Sequence, residues 1–193
     1  MTGTRIEVLS GADAVAERGA EYVAEQARAA VEDHGRFTFA VSGGRTPWAM
    51  FAHLLGKMPW EKVTIYQVDE RVAPDGDPDR NLTHLRASLP PGGTADVRAM
   101  PVEAHDLDAA AADYAAALPA ALDLVHLGLG SDGHTASLVP GDPVLEVMDR
   151  GAAVTGEDKV DVLRRLRAGD TSIPAGQVSA ASQLIVADAA AAG

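Results

Sequence analysis

An open, mostly parallel α/β sheet of Rossmann-like layout, with helices on both faces, is the fold that these 193 residues predict, on three observations. Short apolar runs alternate with stretches of helical periodicity along the whole chain. Several of those runs end directly in polar, glycine-bearing turns, as strands do when an open α/β sheet carries its chemistry at their carboxyl ends. No internal repeat or long linker divides the chain, so a single domain over residues 1–193 is expected.

Taken in order, Arg5–Leu9 is a strand candidate. Ser10, Gly11 and Asp13 offer cap chemistry for a helix to His34, with Val15, Gly19, Tyr22, Val23 and Gln26 at roughly helical spacing and Gly35 as its stop. Arg36–Val41 is the next strand. A helix follows through Trp48, Phe51, Leu54 and Leu55 to Gly56, with Pro47 in its first turn and Thr46 as a candidate cap. Lys62–Val68 reads as a strand, then a loop dense in Pro, Asp and Gly, and a short helix to Leu89 that Asn81 would cap. For Arg80 and Asn81 a capping or solvated role is expected. Val97–Met100 is a weak strand and Leu107–Leu118 an Ala-rich helix. Gly141–Val147 reads as a helical turn or two, Ala152–Val154 as a strand end, Glu157–Arg167 as a helix and Leu184–Val186 as a last strand.

Composition narrows the function. The formal charge of -12 argues against nucleic acid, whose phosphates attract clustered Lys and Arg. The absence of cysteine removes disulfides, thiolate nucleophiles and Cys-based metal sites, and fits a cytoplasmic protein. No apolar run has the length of a membrane span, and the first residues lack a signal-peptide pattern. No H-E-x-x-H or similar ligand spacing exists, so no metal is expected.

Four places carry candidate chemistry. Ser42-Gly43-Gly44-Arg45-Thr46-Pro47 lies between a strand and a helix. Its backbone N–H groups, hydroxyls and helix N-terminus suit a phosphate, although a tight turn that binds nothing has the same sequence. Asp69-Glu70-Arg71 ends another strand. There a carboxylate could orient a hydroxyl and Arg71 hold an anion, against the alternative of a surface salt-bridge set. Gly128-Leu129-Gly130-Ser131-Asp132-Gly133 matches G-x-G-x-x-G, but Pro140-Gly141 interrupts the helix that a dinucleotide fold needs. His134, in that same turn, is a candidate general base with Asp132 to orient it. His126 alternates within the preceding strand and is expected to be buried or half-buried. Lys159 is either a solvated lysine paired with Glu157 or Asp158, or a cation that reaches a phosphate.

Together these motifs resemble the 6-phosphogluconolactonase family. Ser42–Pro47 is similar to its S-G-G-x-T-P loop, and Val68-Asp69-Glu70-Arg71, with the following loop and Asn81, to its V-D-E-R segment. Gly128–Pro140 resembles its G-x-G-x-D-G-H-x-x-S-L-x-P signature. Thr155–Lys159 resembles its G-x-x-K segment, and Ile173-Pro174-Ala175 its I-P-A stretch. The resemblance implies a fold shared with glucosamine-6-phosphate deaminases and ribose-5-phosphate isomerases. It implies cofactor-free hydrolysis of 6-phosphogluconolactone in the oxidative pentose phosphate pathway, by a monomer or small homo-oligomer. It places the phosphate on Ser42, Gly43, Gly44, Arg45 and Thr46 with Arg71 and Lys159. Asp69 and Gly130 would meet the substrate, His134 would be the base, and Asp132 would order its turn. A deaminase-like isomerase would want a further carboxylate soon after the histidine, and Thr135–Pro140 has none. A sugar-phosphate-binding module without catalysis is the remaining alternative. The chain departs from the family pattern between about 147 and 154, where about 30 residues, roughly one strand–helix step, are missing. Deleting a strand from a parallel core is costly. Residues lacking from this sequence are therefore the favoured explanation over a natural deletion.

Overall fold

The computed structural model describes residues 3–91, 94–140, 153–154, 160–178 and 182–192. Their order is β1 (Gly3–Leu9), α1 (Ala12–His34), β2 (Phe37–Val41), α2 (Arg45–Leu54), β3 (Val63–Gln67), α3 (Asn81–Ser88), β4 (Asp96–Arg98), α4 (Leu107–Ala117), β5 (Leu124–His126), β6 (Ala153–Val154), α5 (Val160–Arg167), β7 (Ser182–Asp188) and α6 (Ala189–Ala192). The pairs β1–β7, β2–β3, β3–β4 and β6–β7 are all parallel. A parallel α/β fold is therefore what the alternating pattern produced. The chain falls into two compact units, Met1–Ala20 with His126–Gly193, and Glu21–Val125.

In the first unit the strands run in the order β1-β7-β6. β1 and β7 stay in register from Gly3 opposite Ser182 to Leu9 opposite Asp188. β7 is longer than its apolar centre alone predicts, because pairing to β1 carries the strand outward through Ser182 and Asp188. Its core is Leu129, Val162, Leu163, Ile173, Ala175, Ile185, Ala187 and Ala191. α5 contributes Val162 and Leu163 to that core and leaves Arg164 and Arg167 exposed, with Arg165 half-buried.

The second unit holds the sheet β4-β3-β2-β5. β2 is buried at every residue, as a parallel strand covered on both faces must be. Phe37 and Phe39, two apart and so on one face, stack at 5.8 Å. Phe51 of α2 continues the stack at 6.3 Å from Phe39. Each such ring contributes roughly 1.5–3 kcal/mol by leaving water. Asp123 clips the entry to β5. Its carboxylate accepts from Thr38 N at 2.7 Å and Thr38 Oγ1 at 2.8 Å, and its other oxygen lies 3.0 Å from His34 Nε2 at the end of α1. On α1 the buried stripe is Val15, Ala16, Ala20, Val23, Ala24 and Ala27. Gly19, Tyr22 and Gln26 flank that stripe half-buried.

Several local expectations are corrected. Thr46 does not cap α2: the cap position is Gly44, with no side-chain cap bond, and Thr46 lies inside the first turn. Leu55 follows the helix rather than extending it, and is exposed. Asn81 is the first residue of α3, not its cap. Arg80 does hold the cap position of α3, without a side-chain cap bond, but it is not solvated: it is 2% exposed and paired with Glu103 Oε2 at 3.1 Å. Residues 141–152 and 155–159 lie outside the described residues. So do the expected Gly141–Val147 turns, most of the short passage after Glu146, and Lys159.

Candidate active site

The histidine turn belongs to the first unit. Leu127 and Leu129 are buried and anchor the chain beyond β5. Gly130 N donates to His134 O at 2.7 Å, and Gly133 N to Gly130 O at 3.1 Å, closing the loop. Thr135 Oγ1 donates back to Gly128 O at 2.8 Å. Gly133 has φ +95°, and a Cβ on it would lie 2.7 Å from Ile173 Cγ2. Only glycine fits that backbone and that contact. Ala175 N reaches Gly133 O at 3.4 Å. The Ile173-Pro174-Ala175 segment thus backs the turn that carries the histidine, a role its spacing alone does not disclose.

Asp132 binds His134 twice through one oxygen, 3.0 Å from the backbone N and 2.6 Å from the ring Nδ1. The backbone N–H of His134 is the main cause that holds the Asp132 carboxyl below its usual range; burial, the next in size, opposes it, and the bond and charge of the ring help to outweigh burial. An ionised Asp132 can only accept, so Nδ1 carries a proton, and in the neutral ring Nε2 then presents the lone pair. The imidazole is 45% exposed, enough to meet water. It lies against Gly130, where a Cβ would be 2.1 Å from Nδ1. Gly130 therefore seats the ring.

The glycine loop belongs to the second unit. Gly44 has φ 123° and ψ 168° at the start of α2. Ser42 is buried at the end of β2, and Arg45 is exposed at the helix N-terminus. That N-terminus takes no side-chain cap, so its positive dipole end is open to an anion. β3 lies beside β2 in parallel, and Val68 N donates to Val41 O at 3.1 Å. Asp69-Glu70-Arg71 is thereby set next to the loop. Arg71 is exposed, and neither it nor Arg45 forms an ion pair among the described residues.

Glu70 is the hub that sequence reasoning missed. Its side chain has 0% exposure. It accepts from Gln67 Nε2 at 2.8 Å, Arg71 N at 2.8 Å, Asn81 N at 2.7 Å and Leu82 N at 2.9 Å. Burial pushes its carboxyl up, and these four donors outweigh burial and hold it below the usual range. Glu70 thus caps α3 from a distance, the role the sequence suggested for Asn81. Gln67 is fixed in turn by Tyr114, whose hydroxyl accepts from Gln67 N at 2.9 Å and which burial pushes up to about 12. Among the described residues no group of three or more His, Asp or Glu side chains is arranged to hold a metal ion.

Ser42, Gly43, Gly44, Arg45, Thr46, Asp69 and Arg71 thus fall together in one unit, and Gly130, Asp132 and His134 together in the other. Such a chain is a parallel α/β protein whose polar loops follow its strands, one a glycine loop at an uncapped helix start and one a turn that pairs a histidine with an aspartate. The profile for glucosamine-6-phosphate isomerases and 6-phosphogluconolactonase matches residues 10–154, and the chain belongs to that family, on its 6-phosphogluconolactonase side. A 6-phosphogluconolactonase of Rhizobium meliloti is 39% identical over 147 residues, 73% of this chain and 63% of the relative. The chain therefore spans less than two thirds of that relative's length. The solved 6-phosphogluconolactonase of Shewanella baltica superposes with a TM-score of 0.80 at 22% identity, over 98% of both chains. A monomeric glucosamine-6-phosphate deaminase superposes with a TM-score of 0.84 at 14% identity, over 97% of this chain and 98% of its own. No helix among the described residues is long and apolar enough to cross a membrane.

Proposed function

We propose that the protein is a 6-phosphogluconolactonase that hydrolyses 6-phospho-D-glucono-1,5-lactone to 6-phosphogluconate, without a cofactor. The carrying observation is the Asp132–His134 pair at 2.6 Å, which leaves Nε2 as a base in a half-exposed ring. Nε2 takes a proton from water as that water's oxygen bonds to the lactone carbonyl carbon. The bond from that carbon to the ring oxygen then breaks, and the imidazolium returns the proton to the leaving oxygen. General base catalysis of this kind supplies about 10²–10⁴ in rate.

The Ser42–Thr46 loop with Arg45 and Arg71 takes the substrate phosphate, and Lys159 is a further candidate cation. The phosphate is remote from the broken bond, so its binding positions the lactone rather than activating it. Asp69 and Gly130 meet the sugar. The fold does not separate this reading from a deaminase. The absence of a carboxylate from Thr135–Pro140 and the lactonase relatives support hydrolysis.

The test is lactone loss above spontaneous hydrolysis, for the wild type and His134→Ala. The expected result is a wild-type rate far above buffer and a drop of about 10²–10⁴ in kcat for the variant. Equal rates for the two would sink the base assignment. A wild type no faster than buffer that still binds 6-phosphogluconate would instead be a sugar-phosphate-binding module.

A further inference from the structure

The two adjacent glycines of the anion loop are glycine for different reasons. Gly44 has φ +123° and no clash at its missing Cβ, the nearest atom being Pro47 Cδ at an ordinary contact distance of 3.8 Å. Its demand is conformational. Gly43 has no such backbone. A Cβ on it would stand 1.8 Å from Asn81 Oδ1 and 2.3 Å from Asn81 Cγ. Its demand is steric, and it comes from a residue 38 positions later in the chain.

Asn81 cannot yield. Its Nδ2 donates to Asp69 O at 3.1 Å and to Asp69 Oδ1 at 3.3 Å, which turns the carboxamide oxygen toward Gly43. Its backbone N–H is held by buried Glu70 at 2.7 Å. Glu70 is itself fixed by Gln67, Arg71 N and Leu82 N. The contact differs from the one at Gly130, where the obstacle is a half-exposed ring that can swing away.

We infer that Asn81 is a positioning residue for the anion loop: its carboxamide, clamped by Asp69 and Glu70, sets the path of the Gly43 peptide and so the aim of the loop's N–H groups at a phosphate. The inference rests on the anion reading of Ser42–Thr46. Asn81 itself need not touch the ligand. Its effect is transmitted through a backbone contact that only glycine permits, so the S-G-G loop and the D-E-R turn act as one device.

The experiment is a double-mutant cycle on the full chain with Gly43→Ala, Asn81→Ala and both together. Calorimetry with inorganic phosphate and with 6-phosphogluconate reads binding, and the lactonase assay reads KM and kcat. Each single variant is expected to weaken phosphate binding by about tenfold, raising KM while kcat stays within about threefold. Adding Gly43→Ala to Asn81→Ala is expected to cost less than about threefold more, because the obstacle is gone; coupling of this size is usual between residues in contact. A Gly43→Ala chain that folds only in the Asn81→Ala background supports the same coupling. An equal penalty in both backgrounds, failure to fold in both, or full phosphate binding by Asn81→Ala overturns the inference alone. A wild type that binds no phosphate overturns the anion reading and the inference with it.

Discussion

At the residue scale the proposed chemistry rests on how one imidazole is seated. Asp132 fixes its tautomer, and Gly130 gives it room. Replacing Gly130 with Ala would put a methyl 2.1 Å from Nδ1. The ring can move where backbone cannot, so the fold should survive. The expected outcome is a kcat loss of about 10²-fold or more with an unchanged melting temperature. A ring still bonded to Asp132 in the variant, seen by the Nδ1 proton in NMR, would refute the seating argument. Asp132→Asn should lower kcat by a similar factor with KM unmoved, since an amide no longer dictates which nitrogen carries the proton. The sequence made His134 and its turn legible because strand, glycine turn and histidine are contiguous. It disclosed less about the glycines. The G-x-G-x-x-G spacing is formally present, yet Gly130 is there for an imidazole and Gly133 for Ile173. Neither reason is a dinucleotide, and the second partner lies 40 residues away.

At the element scale, two neighbouring helices of the second unit start in opposite ways. α2 has no side-chain cap, while α3 begins on the Glu70 carboxylate. A helix already neutralised at its N-terminus has little left for a ligand anion, and an uncapped one keeps its field. Glu70→Ala should unfold α3 first, and cost about 3–5 kcal/mol in urea denaturation, because buried Arg80 loses the buried carboxylate whose Oε2 lies 3.5 Å from its Nε. Glu70→Gln should cost less and remove part of the acid sensitivity. Glu70's carboxyl titrates below its ordinary value when folded, so its stabilisation is present above about pH 4.5 and fades as pH falls through the lower folded value. A Glu70→Gln chain with the wild-type acid profile would refute this. The order of elements was legible because 3.6-residue and two-residue periodicities survive averaging along a segment. The caps were not. Thr46 and Asn81 are the residue types that cap helices, and both sit one or two places inside. The actual caps are set by Gly44's φ and by a carboxylate eleven residues upstream of Asn81, and neither depends on local propensity. Arg80 misled for a related reason: a lone arginine in a Pro-Asp loop reads as solvated until Glu103 and Glu70 are folded around it.

At the scale of the whole molecule, global shape and family membership carry different information. The superposition on a deaminase is as close as that on a lactonase, so architecture leaves the reaction open, and site chemistry has to decide it. The same scale holds a liability unconnected with catalysis. His126 ends β5. Its Nδ1 is buried without a hydrogen-bond partner among the described residues, although the residue as a whole is only half-buried. Burial pushes its imidazole down from 6.5 to about 4. An unfolded chain takes up a proton at this histidine as pH falls below about 6.5, while the folded chain resists until about 4. Stability therefore declines across that window, by roughly 3 kcal/mol for a displacement of this size. His126→Phe keeps an aromatic ring in the strand and removes both the orphan nitrogen and the titration. Urea midpoints measured at pH 7 and pH 4.5 should fall markedly for the wild type and much less for His126→Phe, with lactonase rates at pH 7 comparable. Parallel declines for the two chains would mean that acid sensitivity resides in other groups and that the His126 ring titrates alike in the folded and unfolded states.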